Sequence, residues 1–325
     1  MPECLPETAE PSTFRRWIES WINGDAMQEL ARACGWRLIG TTTDQMLDEL
    51  VELSSAWDFR SGAERHQITS RSAEVNGRPL GEDLVGRCAA QLGLAGGMSV
   101  VGPYSYGAAL GGMVKACLNR TRLLHDLATQ DPIRSLAVLS AHRPIQGREL
   151  EDAAELGWRG INLESDAALS SAREVFALSA TADFEASYTG DDPPSGQTPE
   201  GLSPEEYQRR TAWSVHRWDT PQEIVVLAAP AAAPLRRRAN TADQLKFWAD
   251  KCKIDSDTRI LLVTTEHYVP YQQLQALLTL GRWLGCRITT TGTAWSPAGR
   301  YRAAGYLQEI RSTLIVAKEL RDSLW

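Results

Sequence analysis

Four short stretches set hydrogen-bonding and titratable side chains directly after apolar runs. The densest is VTTEHYVPYQQ, which holds Thr264, Thr265, Glu266, His267, Tyr268 and Tyr271. A glutamate and a histidine can supply an acid and a base near neutral pH, because environment tunes both pKa values. Neighbouring residues at a strand end point to opposite faces, so Glu266 and His267 need not act as a unit. The stretch SAHRPIQGRE puts His142 and Arg143 ahead of Pro144, which stiffens the turn. In LGGMVKACL, the missing Cβ atoms of Gly111 and Gly112 let backbone N–H groups approach an anion closely. Finally, PLRRRANTADQ sets Arg236, Arg237 and Arg238 before Asn240 and Thr241. Thr241 followed by Gln244 has capping-box spacing. Cations beside a helix N-terminus run against the macrodipole unless an anion lies between them. The three arginines therefore predict an anionic ligand, with solvation of the arginines as the rival account.

The elements that must hold these residues follow from periodicity. Residues 1–95 read as a helical N-terminal subdomain. Its first helix, in STFRRWIESWI, has a cap at Ser12 or Thr13 and an apolar stripe of Phe14, Trp17, Ile18, Trp21 and Ile22. TTTDQMLDELVEL and LGEDLVGRCAAQLGL give two more helices, and their stripes are core faces. Residues 96–325 alternate apolar strands with helices. Strands are predicted to end near Leu110, over 135–140, over 223–230 and over 258–265, with a further strand in CRITTTG. Continuous apolar strands separated by helices predict an α/β, Rossmann-like, doubly wound parallel sheet covered on both faces. Ligands bind such sheets at the carboxyl ends of the strands, where all four stretches fall. Residues 183–207 are rich in Pro, Gly, Ser and Asp and read as an irregular excursion.

Composition narrows the function classes. The chain has 325 residues and a net charge of −7, which disfavours a general nucleic-acid binder. Six scattered cysteines without a CxxC pair predict buried, reduced thiols. The start lacks a signal-peptide pattern and no apolar run is long enough for a membrane helix, so a cytoplasmic protein without a membrane partner is expected. No metal-ligand spacing and no Ser-His-Asp constellation is visible in the sequence.

Taken in order, the glycine pair, the Arg-Pro turn, the Asn-Thr pair and the VTT stretch with its His, Tyr and Pro resemble the SanA, ElyC and YdcF family of unknown function over about residues 100–292. By that resemblance Gly111 and Gly112 match the first-strand turn, Asn240 and Thr241 the Asn-Thr pair, and Thr264, Thr265, His267, Tyr268 and Pro270 the fourth loop. The resemblance implies a Rossmann-like sheet and an enzyme or nucleotide-type binder, with S-adenosylmethionine as a candidate cofactor. Where the family has an acidic residue before Asn-Thr, this chain has AAAPLRRR.

The expected function is a cytoplasmic enzyme that hydrolyses, or transfers a group from, a small phosphorylated or nucleotide-like molecule. In that account Gly111, Gly112, Arg143, Arg236, Arg237, Arg238, Asn240, Thr241, Thr264, Thr265, Tyr268 and Tyr271 bind, and Glu266, His267 and His142 move protons. Two alternatives stand beside it: a non-catalytic binder of S-adenosylmethionine or a nucleotide, and a protein-interaction module using the excursion and the 11 tryptophans. A homo-oligomer is compatible with all three. Trp57, Arg60 and Arg65 are further candidates to close over the site.

Overall fold

The structure is a computed structural model that describes residues 5–59, 73–95, 100, 102–179, 183–187, 202–294 and 302–325. Helix α1 (Pro11–Asn23) opens with proline at its first position, where the absent N–H is no loss. Glu10 is therefore the residue before the helix, and the Ser12 and Thr13 hydroxyls donate to its carboxylate instead of capping. Next come α2 (Asp25–Ala33), absent from the expected helices, and α3 (Thr43–Leu53). Thr42 and Gln45 form a reciprocal capping box on α3. A 3-10 turn at Ser54–Trp57, a small hairpin of β1 (Glu74–Val75) and β2 (Arg78–Pro79), and α4 (Glu82–Gln91) follow. Trp57 is fully buried, its ring 4.7 Å from that of Trp36, so it is core; Arg60 and Arg65 fall outside the described residues.

The chain then runs β3 (Tyr106–Ala109), α5 (Val114–Gln130), β4 (Ser135–Ala141), α6 (Arg148–Glu155), α7 (Glu164–Val175), β5 (Asp183–Ser187) and α8 (Pro204–Thr211). It continues through β6 (Trp213–Asp219), β7 (Glu223–Ala229), α9 (Thr241–Cys252) and β8 (Arg259–Thr265). After a 3-10 turn at Glu266–Tyr268 come α10 (Val269–Ala276), a π-helical turn at Leu277–Gly281, α11 (Arg282–Leu284), β9 (Arg287–Thr293) and α12 (Ala303–Leu324).

The main sheet has the order β5-β6-β7-β4-β3-β8-β9. Strands β7, β4, β3 and β8 are parallel neighbours, as a Rossmann-like fold requires. Strand β6 runs antiparallel to both of its neighbours, β7 and the edge strand β5, so the sheet is mixed, not wholly parallel. The expected excursion at 183–207 is correspondingly shorter: its ends belong to β5 and α8, and 188–201 lie outside the described residues. From β3 the chain steps outward through β4 to β7, then returns to the other side of β3 as β8. The switch point lies between the carboxyl ends of β3 and β8.

Both sheet faces are covered. Tyr106 packs edge-on against Trp248 of α9, with ring centroids 6.3 Å apart. The next residue, Gly107, faces the other way, where a Cβ would meet Leu124 of α5 at 2.9 Å. On that second face Leu124, Leu136, Val138, Val226 and Val263 pack with Ala168 and Ala172 of α7.

The chain divides into two compact units. One contains the N-terminal helices, Thr265–Trp283 and the segment with α12; the other is Val100–Thr264 with Leu284–Thr289. A single boundary near residue 95 therefore does not describe the division, because α12 packs with α1, α3 and α4. Ala303 donates its backbone N–H to Glu82, and Arg321 pairs with Asp48 at 2.8 Å.

Candidate functional site

In the α/β unit, β3 ends at Ala109 and the turn through Gly111 and Gly112 leads into α5. The helix has no side-chain cap and no acidic residue in its first turn. Both glycines answer to internal neighbours. A Cβ on Gly111 would lie 2.2 Å from Glu164 Oε1 and 2.8 Å from the Leu139 carbonyl; on Gly112 it would lie 2.9 Å from the Arg120 guanidinium. Arg120, buried on α5, donates to the Leu110 carbonyl at 2.9 Å and to the Gly111 carbonyl, and so fixes the end of β3.

His142 and Arg143 follow β4 directly. Arg143 donates from Nη1 and Nη2 to both oxygens of Glu149 at 2.9 and 2.7 Å, and from Nε to Glu164 Oε2 at 2.9 Å. Glu149 begins α6 and Glu164 begins α7, so a single guanidinium ties the loop after β4 to two helix starts. Both carboxylates are buried. Burial opposes charge on Arg143, yet Glu149 and Glu164 together hold it protonated well above the usual arginine range. Burial pushes the Glu164 carboxyl up, and Arg143 pulls it back.

His142 has a different partner. Its Nδ1 lies 3.1 Å from Ser165 Oγ, with the histidine 7% and the serine 8% exposed. Burial lowers the His142 pKa from its ordinary value, with Asp166 and the Trp213 backbone pulling the other way. The imidazole is therefore neutral at pH 7. Asp166 itself caps α7 from within, accepting the N–H groups of Asn162 at 2.9 Å and Leu163 at 2.8 Å. Cys117 also lies near the turn, its thiol 3.3 Å from the Gly112 carbonyl and pushed up by burial to about 12. It is inert as a nucleophile at neutral pH. Every described cysteine is free; Cys34, Cys88, Cys117 and Cys286 are buried and Cys252 is half-buried.

The arginine cluster is built differently from the expectation. The capping box of α9 is Asn240 with Asp243, one residue earlier than Thr241 with Gln244. Asn240 Oδ1 accepts the Asp243 N–H at 3.1 Å, and Asp243 Oδ2 accepts the Asn240 N–H at 2.9 Å. Arg237 forms a forked pair with that same Asp243, and Arg238 donates to Glu206 of α8 at 2.8 Å. Despite burial, Arg238, Arg210 and Arg209 hold the Glu206 carboxyl below its ordinary range. Arg236 is exposed. The anion that reconciles Arg237 with the helix dipole is thus a residue of the chain. The Thr241 backbone simply opens α9.

Thr264 is a buried residue of β8 and belongs to the α/β unit. Thr265, Glu266, His267, Tyr268 and Tyr271 belong to the other unit. There His267 is wholly buried with its ring edge-on to Tyr268 at 4.0 Å, while Glu266 is partly exposed. The backbone of Glu266 would lie 2.6 Å from a Cβ on Gly292, which holds the glutamate tightly beside β9. Glu266 and His267 therefore occupy distinct environments. Among the described residues no cluster of three or more His, Cys, Asp or Glu is arranged to hold a metal ion.

The structure brings together Gly111 and Arg143 through Glu164, Gly112 with Arg120, and His142 with Ser165. Arg120, Glu149, Glu164 and Ser165 went unmarked in the sequence. Glu164 and Ser165 stand in INLESDAALSS, whose only local signal is an acidic residue opening a helix.

A family model described as the Rv3785 N-terminal domain matches residues 6–93. Over its length the chain is similar to "Uncharacterized protein Rv3785" of Mycobacterium tuberculosis and "Uncharacterized protein Mb3814" of Mycobacterium bovis. Each is 25% identical, and the match covers 99% of this chain and 95% of the relative. No solved structure matches. These matches overturn the resemblance to the SanA, ElyC and YdcF family. Gly111 and Gly112 make a strand-to-helix turn and Asn240 caps α9, roles that any doubly wound sheet can fill, so they mark the architecture and not the lineage. No described helix is long and apolar enough to cross a membrane.

Proposed function

We propose that the α/β unit is the working part of an enzyme that hydrolyses a small molecule, or transfers a group from it, at the carboxyl ends of β3 and β4. His142 carries the proton. The observation that supports this reading is a desolvated, neutral imidazole 3.1 Å from a serine hydroxyl at the end of β4. A base is most useful when it is unprotonated at the working pH, and burial of His142 keeps it so. The Arg143 clamp on Glu149 and Glu164 supports the reading too, since it fixes the loop that presents His142.

The phosphorylated substrate expected from the arginines has less support than the proton chemistry. Arg143 pairs with Glu149 and Glu164, Arg237 with Asp243, and Arg238 with Glu206. Those same pairs favour a second reading, a small-molecule binding protein without turnover, because a fully paired frame serves rigidity as well as catalysis.

A panel of p-nitrophenyl phosphate, bis(p-nitrophenyl) phosphate, nucleoside triphosphates and p-nitrophenyl esters tests the proposal with wild type and His142→Gln. Turnover of at least one member, reduced about 10²- to 10⁴-fold in the variant, is the expected result. Equal rates in both proteins would overturn the role of His142. A thermal shift with one compound and turnover of none would move the assignment to the binding protein.

A further inference from the structure

We infer that Ser165 is a nucleophile and that its substrate is an acyl compound: a carboxylic ester, thioester or activated amide. The inference rests on the proposed role of His142 and adds the attacking atom. A serine hydroxyl is a weak nucleophile until a base takes its proton as the bond forms. His142 Nδ1 is 3.1 Å from Ser165 Oγ, within the range for that transfer. Both side chains are more than nine-tenths buried, so the charge that develops is not dispersed by water. Ser165 is the second residue of α7, where the helix dipole favours the partial negative charge of an oxygen losing its proton.

The choice of an acyl group follows from charge. Around the Gly111–Gly112 turn stand Arg120 and Arg143 against Glu149 and Glu164, two cations and two anions. Glu164 Oε1 occupies the space directly over Gly111, where a phosphate would meet a carboxylate. An uncharged carbonyl meets no such repulsion. Buried Cys117, the other nucleophilic atom near the turn, is held as a thiol by its surroundings and does not compete.

In the reaction, Ser165 Oγ adds to the carbonyl carbon while its proton passes to His142 Nδ1. The bond from that carbon to the leaving oxygen, sulfur or nitrogen breaks, its electron pair stays on the leaving atom, and the imidazolium returns the proton there. Water then attacks the acyl-serine and gives a proton to Nδ1. The carbon–Oγ bond breaks, the carboxylic acid leaves and Ser165 regains its proton.

A small fluorophosphonate tests this on the full-length chain. One adduct per molecule is expected, found by mass spectrometry on the peptide containing Ser165, absent in Ser165→Ala and formed at least a hundredfold more slowly in His142→Gln. Ser165→Cys gives a second route that keeps a nucleophile in place. The introduced thiol should react with iodoacetamide faster than the native cysteines, of which Cys88, Cys117 and Cys252 are pushed up to about 11, 12 and 11. Its advantage should vanish when His142→Gln is added. Panel turnover that depends on His142, together with no Ser165 adduct and an unreactive introduced thiol in Ser165→Cys, would overturn the nucleophile and leave the proposed function standing. No adduct and no turnover of any compound would remove both.

Discussion

Glu149 and Glu164 put negative charge where water cannot balance it, and the half-buried Arg143 guanidinium balances both. Replacing it with alanine leaves two buried carboxylates without their counter-charge. Breaking one side of a buried pair typically costs about 3–5 kcal/mol. Arg143→Ala should therefore lower the urea midpoint by that much stability, whereas exposed Arg236→Ala should stay within about 0.5 kcal/mol. Equal effects from the two would sink the clamp. His142 makes a pH-dependent contribution of the opposite kind. In the unfolded chain it takes a proton near its ordinary pKa of 6.5, while in the fold burial refuses that proton until lower pH. Below about pH 6.5 the unfolded state thus binds more protons, and stability falls as pH drops. Burial lowers His216 in the same direction. Between pH 7 and 5.5 the melting temperature should fall, less steeply in His142→Gln, with His216 supplying the remainder. An identical slope in both proteins would contradict a neutral His142.

At the scale of elements, the turn from β3 into α5 is held by an absence of side chain. A methyl group on Gly111 has the Glu164 carboxylate on one side and the Leu139 backbone on the other, and the backbone cannot step aside. Overpacking of this kind costs about 1–3 kcal/mol or more. Gly111→Ala should lose more stability than Gly112→Ala, whose methyl meets a side chain, and paired denaturation curves would show the reverse order if the turn were loose. The parallel strands of the same sheet were legible because they are largely apolar runs between helices, as in EIVVLAA of β7 and RILLVTT of β8. Strand β6 was not, since His216 and Arg217 interrupt it and only antiparallel pairing with β5 and β7 makes it a strand. The arginine conflict at α9 was also legible. Its resolution was not, because Glu206 lies 32 residues before its partner Arg238. Likewise Ser165 is 23 residues from His142, and local spacing carries no trace of a contact made by folding.

For the whole molecule, the first and last helices belong to one compact unit, with the α/β unit threaded between them in sequence. α12 buries 13 residues, among them Leu307, Ile310, Leu314, Val316 and Leu320, and packs with α1, α3 and α4. The matched segment 6–93 is therefore an incomplete core by itself. Residues 1–95 expressed alone should bind a hydrophobic dye and lack a cooperative melting transition, and adding α12 as a peptide should restore one. A cooperative melt without the peptide would refute the dependence. The same threading has a consequence in time. With synthesis at about 5–20 residues per second, the roughly 200 residues between α4 and α12 take on the order of 10–40 s to make. For most of that interval the early helices can pack on one another but lack α12, so the face that α12 covers in the folded unit stays open. That apolar face stays exposed until α12 has been made and packs against α1, α3 and α4.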